Sequence, residues 1–217
     1  MDEISFKIAD TEIGLNHPTY FIADIAANHD GDINKAIDLI HLCAENGANA
    51  AKFQNFFADT IVSDFGFKAL ETESLSHQSA WRKEWGKSVY DVYKEASIPL
   101  DWTPRLKDAC KEAKIDYFTA PYDISILDEL DKYVVAWKVG SGDITWLEMI
   151  SNLSSRNKPV LIATGASEMS EVKEAIEVAQ KFNKNIVLMQ CNTNYTASEE
   201  NIKYVNLNVL KNYASNF

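Results

Sequence analysis

"YFIADIAANHDGD", residues 20–32, decides how the rest of the chain is read. It begins as an apolar strand and turns within a few residues into a cluster of Asp24, Asn28, His29, Asp30 and Asp32. A strand that feeds a helix is the unit of parallel α/β folds, and the turn between them separates one kind from another. A dinucleotide-binding sheet needs a glycine fingerprint there, so that its backbone can approach a pyrophosphate. This turn holds one glycine, Gly31, which weakens that option and favours a (β/α)8 barrel. The oxygens of Asn28, Asp30 and Asp32 have the spacing of a calcium loop. However, its required glycine falls at Ile33 and its twelfth position at Leu39, so that reading fails.

Working outward, the strand-helix rhythm repeats. "INKAIDLIHLCAENG" puts Ile33, Ala36, Ile37, Ile40 and Ala44 on one helical face, with Asp32 as N-cap and Gly47 as stop. Further strands are expected over 48–54, 115–121, 133–140, 158–165 and 185–191. The helices between them include one opened by Thr103 as N-cap and Pro104. Another carries Met169, Val172, Ala175, Ile176 and Ala179 inward. A tryptophan-rich amphipathic excursion covers roughly 77–96, and a last helical segment 199–215. "ISFKIADTEIG" reads as a β-hairpin ahead of the barrel. No linker or repeat divides the 217 residues, so residues 1–217 are expected to be one domain.

Composition narrows the function. A net charge of −11 argues against nucleic acid or an anionic membrane as partner, and no apolar run reaches the roughly 20 residues of a membrane helix. The N-terminus lacks a basic, then apolar, leader pattern, and Cys43, Cys110 and Cys191 are few and widely spaced. Both suit a cytoplasmic protein with reduced thiols.

The six strands end in "ADIAANHDGD", "KFQNFF", "TAPYD", "WKVGSGD", "ATGAS" and "QCNTNY", whereas their beginnings are ordinary polar turns. Barrel active sites are built from strand C-terminal ends, so this asymmetry points to a catalytic mouth. Lys52 and Lys138, at strand ends of an acidic protein, suit an anion, although a lysine can also snorkel from such a position to solvent. "GSGD" and "ATGAS" offer N–H groups and hydroxyls to a phosphate. A Schiff-base aldolase using Lys138 or Lys52 stays open on these residues, as does a non-catalytic sugar-binding role.

"FIADIAANHDGDINKAIDLIHLCAENGANAAKFQ", "FTAPYD", "WKVGSGDITWLEMI", "PVLIATGAS" and "LMQCNTNY" resemble the sialic acid synthase family in order and spacing. That family includes the legionaminate and pseudaminate synthases. The resemblance implies a (β/α)8 TIM barrel that condenses phosphoenolpyruvate with an N-acetylated hexosamine, releasing phosphate with the help of a divalent metal, commonly manganese. It implies that Lys52 and Lys138 hold phosphoenolpyruvate, helped by Thr119, Ser141 and Thr164. Asn28, His29, Gln54, Asp143 and Tyr195 would face the sugar, and Asp24 would be the catalytic carboxylate. Asp24 and Asp143 stand where the family usually has glutamate, and "QCNTNYTAS" lacks the usual Tyr-Pro. The family's metal-binding histidines and its antifreeze-like domain have no counterpart before Phe217. The resemblance therefore implies a barrel cut after about six β-α units, without metal ligands of its own, from a protein that is homodimeric when whole.

Overall fold

The computed structural model describes residues 5–70, 86–193 and 199–217. They form two compact units, Tyr20–Tyr133 and Met1–Thr19 with Val134–Phe217. The chain opens with an antiparallel pair, β1 (Ser5–Ile8) and β2 (Thr11–Gly14), which belongs to the second unit.

The Tyr20–Tyr133 unit is a three-stranded parallel sheet in chain order: β3 (Ile22–Ala26), β4 (Ala50–Asn55) and β5 (Asp116–Pro121). Between β3 and β4 runs α1 (Ile33–Glu45), which starts where its sequence says it should. Asp32 is the N-cap, its carboxylate accepting from Asn34 N–H at 2.8 Å. Ala36 and Ile40 are its fully buried side chains. Gly47 follows the C-cap at φ 86°. Between β4 and β5 come α2 (Ala58–Ile61), α3 (Asp64–Leu70), α4 (Val89–Ala96), a 3-10 turn (Leu100–Trp102) and α5 (Thr103–Glu112). Of the tryptophan-rich stretch expected over 77–96, residues 77–85 lie outside the described residues. Thr103 does not cap α5. It is the first helical residue, its side chain completely buried, and Pro104 follows it with the preset φ of a first turn. A 3-10 turn (Ile124–Ile126) and α6 (Leu127–Asp131) close the unit.

The other unit holds β6 (Trp137–Val139), β7 (Val160–Ala163) and β8 (Ile186–Met189), again parallel and in chain order. After β6 come a 3-10 turn (Ser141–Asp143) and α7 (Leu147–Ser154). After β7 comes α8 (Met169–Gln180), and after β8 a 3-10 turn (Glu199–Tyr204) and α9 (Leu207–Asn216). Val172, Ala175, Ile176 and Ala179 of α8 are buried as the periodicity requires. Met169 is not: it starts the helix and is 44% exposed.

Alternation along the strands fixes which side chains share a face. Phe53 stacks on Tyr117 with ring centroids 5.8 Å apart, and Asn55 and Thr119 continue that face. Lys52 and Gln54 lie on the other, in register with Phe118 and Ala120. Ala51, Phe53, Tyr117 and Thr119 are completely buried. Each fully buried aromatic side chain contributes about 1.5–3 kcal/mol.

Candidate active site

Both units place polar side chains at the C-terminal ends of their strands, and each cluster is built differently. In the first, Asp24 of β3 is in register with Lys52 of β4, so the two side chains leave the same face. Lys52 is 8% exposed and its Nζ donates to the exposed Asp24 carboxylate at 2.6 Å. A buried ammonium needs such a partner, because desolvation otherwise penalises its charge. One residue further, the strands fall out of step: Ala26, not Ile25, opposes Phe53, and Ala26 has φ 51°. This bulge ends the pairing and swings the chain into the polar turn.

The turn is tied internally. Asn28 sends both its main-chain N–H and its side-chain amide to Ile25 O, each at 3.0 Å. Asp32 N–H reaches His29 O at 2.9 Å, and Gly31 N–H donates to His29 Nδ1 at 3.1 Å. His29 is completely buried, edge-on to Trp102 with centroids 5.6 Å apart. Burial pushes its imidazole below the ordinary histidine range, with the nearby Asp30 charge opposing and Lys35 adding to the shift. His29 thus sits inside the turn, while Asn28 is exposed beside it. At the end of β4, Gln54 Nε2 donates to Tyr122 Oη at 3.3 Å, and Tyr122 in turn packs edge-on against Phe56.

Thr119 is not brought to this face. It lies on the face of Phe53 and Tyr117, completely buried, and its hydroxyl donates to Asn55 Oδ1 at 2.6 Å. Ala120 takes the position in phase with Gln54. Strand register decides that difference, and no short motif states it.

In the second cluster Lys138 is also 8% exposed, but its Nζ donates to Val139 O at 2.6 Å, the carbonyl of its own neighbour. Ser141 Oγ accepts from Gly165 N–H at 3.1 Å, which leaves the serine hydrogen able to donate. Thr164, at the end of β7, is engaged on both sides: it donates to Met189 O at 3.1 Å and accepts from Tyr213 Oη at 2.8 Å. Gly165 has to be glycine here. A Cβ would sit 2.4 Å from Thr193 Cγ2 and 2.9 Å from Ser141 Oγ. Beside these groups a cleft of about 460 Å³ is lined by Ser141, Gly142, Thr145, Gly165, Ser167 and Thr193. Asp143 is half-buried, and burial raises its carboxyl above the usual range against the opposing pull of Lys138. Tyr195 lies outside the described residues.

These groups can hold anions and exchange protons. Among the described residues no three or more His, Cys, Asp or Glu side chains converge as a metal site. Burial pushes the Cys110 thiol up to about 12 and raises that of Cys43 for the same reason. No helix among the described residues is long and apolar enough to cross a membrane.

Residues 39–217 match the NeuB family over more than half of the chain. The chain belongs to that family. It is 29% identical to human N-acetylneuraminate-9-phosphate synthase over 208 residues, covering 94% of this chain and 54% of that protein. It is 28% identical to the N,N'-diacetyllegionaminic acid synthase of Legionella pneumophila, covering 94% and 56%. Among solved structures, a sialic acid synthetase of Leptospira borgpetersenii, crystallised with citrate, superposes with a TM-score of 0.80. That match is at 23% identity, over 99% of this chain and 67% of that one. It shows the fold, an α/β barrel architecture to which this chain contributes six parallel strands. The chain spans about half the length of the curated NeuB-family relatives it matches.

Proposed function

We propose that this chain forms substrate-holding barrel strands of a nonulosonic acid synthase, which condenses phosphoenolpyruvate with the open-chain form of an N-acylated hexosamine. The observation that carries the reading is the Lys52–Asp24 pair within a NeuB-family chain. It places a buried cation and an accessible carboxylate 2.6 Å apart on adjacent strands. Lys52 and Lys138 neutralise the carboxylate and phosphate of phosphoenolpyruvate, and Ser141 donates a hydrogen bond to its oxygens. The C2=C3 π pair of phosphoenolpyruvate forms the bond from C3 to the sugar aldehyde carbon and leaves C2 cationic, and the aldehyde oxygen takes a proton from solvent to become a hydroxyl. Water adds to C2, and Asp24 accepts its proton. The C2–O bond to phosphorus then opens, a 2-keto acid forms and inorganic phosphate leaves. Preorganised cations stabilise the charge that develops on the oxygens in both steps. Asn28, Gln54, Asp143 and Tyr195 face the sugar in this reading, and His29 serves from inside the turn. Thr119 and Thr164, whose hydroxyls are bound to protein partners, act by supporting the strand ends. Manganese and a homodimeric, cytoplasmic protein belong to the same proposal, and no step above passes through the metal.

The test is sugar-dependent phosphate release from phosphoenolpyruvate, run with N-acetylmannosamine and with diacetylated 6-deoxyhexoses, beside calorimetric titration of phosphoenolpyruvate. Lys52→Met and Lys138→Met each weaken phosphoenolpyruvate binding at least tenfold. Pyruvate trapped covalently on either lysine by borohydride, with no phosphate released, would replace the synthase with a Schiff-base aldolase.

A further inference from the structure

The turn that carries Asn28 and follows Asp24 is held together by a buried histidine whose ring packs on Trp102. His29 Nδ1 accepts the Gly31 N–H at 3.1 Å, so the ring proton sits on Nε2. That Nε2 is buried and has no hydrogen-bond partner among the described residues. The turn around it is unusual backbone. Ala26, Asp30 and Gly31 have φ of 51°, 50° and 74°, and a Cβ on Gly31 would stand 3.3 Å from Glu95 O of α4. Conformations of this kind persist only where their surroundings dictate them. Here the dictating contacts are few: the Asn28 bonds to Ile25 O, the Asp32 bond to His29 O, and the imidazole accepting from Gly31. A second proton on His29 would go to Nδ1. It would turn that acceptor into a donor facing another donor, and would put a charge in a buried site.

We propose that His29 is a positioning residue. Its neutral ring locks the turn between β3 and α1, and through it the Asp24 carboxylate beside Lys52, and its protonation unlocks them. This rests on the functional reading above only in the claim that Asp24 and Asn28 serve the substrates. The charged groups that act on the ring are Asp30 on the turn and Lys35 on α1, which pair with each other and pull in opposite directions. From the 3-10 turn the ring meets the neutral Trp102. Burial therefore sets the direction, and the locked form is the one present at neutral pH.

The experiment follows three signals in the 217-residue chain between pH 8 and pH 5. They are the His29 ring resonances, hydrogen exchange at the Gly31 amide, and calorimetric affinity for N-acetylmannosamine and for phosphoenolpyruvate. His29→Asn offers Oδ1 to the same Gly31 N–H and does not titrate. His29→Phe fills the space against Trp102 and removes the acceptor. In the wild type, Gly31 protection and affinity fall together as His29 gains its proton. His29→Asn keeps both flat across the range. His29→Phe exchanges Gly31 about tenfold faster at every pH, the ratio expected from losing one hydrogen bond. A wild-type pH response that survives in His29→Asn overturns the proposal, as does a ring that titrates with no change at Gly31. If the ring and Gly31 respond but neither ligand binds at any pH, the lock stands and the synthase reading fails. Ligands that bind with no pH response beyond that of His29→Asn overturn the link to Asp24.

Discussion

Lys52, inside β4, and Lys138, the central residue of β6, have the same small exposure, yet they are held differently. Lys52 reaches across to a neighbouring strand and meets a carboxylate, whereas Lys138 folds back on the carbonyl of Val139. The first arrangement stores its charge in a side-chain pair that opens or closes with the rotamer of an exposed aspartate. The second has a main-chain carbonyl among its partners and also acts on the Asp143 carboxyl. Burial alone therefore says little about what a lysine within a strand does. The partner decides what its removal costs and what a ligand must displace.

Four changes test that contrast. Gly165→Ala drives a methyl into Thr193 and Ser141 and is expected to cost about 2–3 kcal/mol, read as a lower urea midpoint at unchanged slope. A loss below about 0.5 kcal/mol would mean that the second cluster is not set by backbone packing. Asp24→Asn leaves Lys52 buried without its counter-charge. It costs about 1–2 kcal/mol, a value between those of buried and exposed pairs because the aspartate faces solvent. The double variant Asp24→Asn with Lys52→Met should recover part of that loss. A double-mutant cycle with no coupling would break the comparison at its first term. Lys138→Met, which removes an ammonium and leaves a chain of similar volume, should change stability by less than about 1 kcal/mol. The smallest effect concerns pH. Asp143 holds its proton more tightly when folded than unfolded, so the stability it contributes is full below the ordinary aspartate range and is lost as pH rises through its raised value. Asp143→Asn removes that loss and gains stability relative to the wild type at pH 7 compared with pH 3. Equal differences at the two pH values would show that burial does not govern this carboxyl.

How legible all this was in the sequence depends on which kind of information each feature needs. Period and capping placed α1, α8 and the six strands, since Asp32, Gly47 and the runs at Ile37 and Val172 act locally. Position 169 was misjudged because a helix's first residue has no preceding turn to cover it. The polar stretches singled out Asp24, Lys52, Lys138 and Ser141, and the structure pairs Asp24 with Lys52 and sets Ser141 beside Gly165. Thr119 was grouped with Lys52 although the two face opposite ways, and Thr164 proved to be bound to Tyr213, 49 residues away in the chain. Face and long-range partner both depend on register, which is set by pairing between strands distant in sequence. The inward histidine was equally hidden: a polar residue in a polar turn looks exposed until Trp102, from another element, covers it.

The bulge at the end of β3 has one further consequence. Up to Asp24 the strand counts in twos with β4, and after Ala26 the count is shifted by one. Loss of the single codon for Ile25 would restore the count, with Ala26 following Asp24 directly onto the Phe53 position, while shortening the lead-in to Asn28. Length variation here would then act as a discrete adjustment of which polar group comes forward. Among relatives of different substrate preference, the place to look for gained or lost residues is this short lead-in, ahead of the helix and outside the strands.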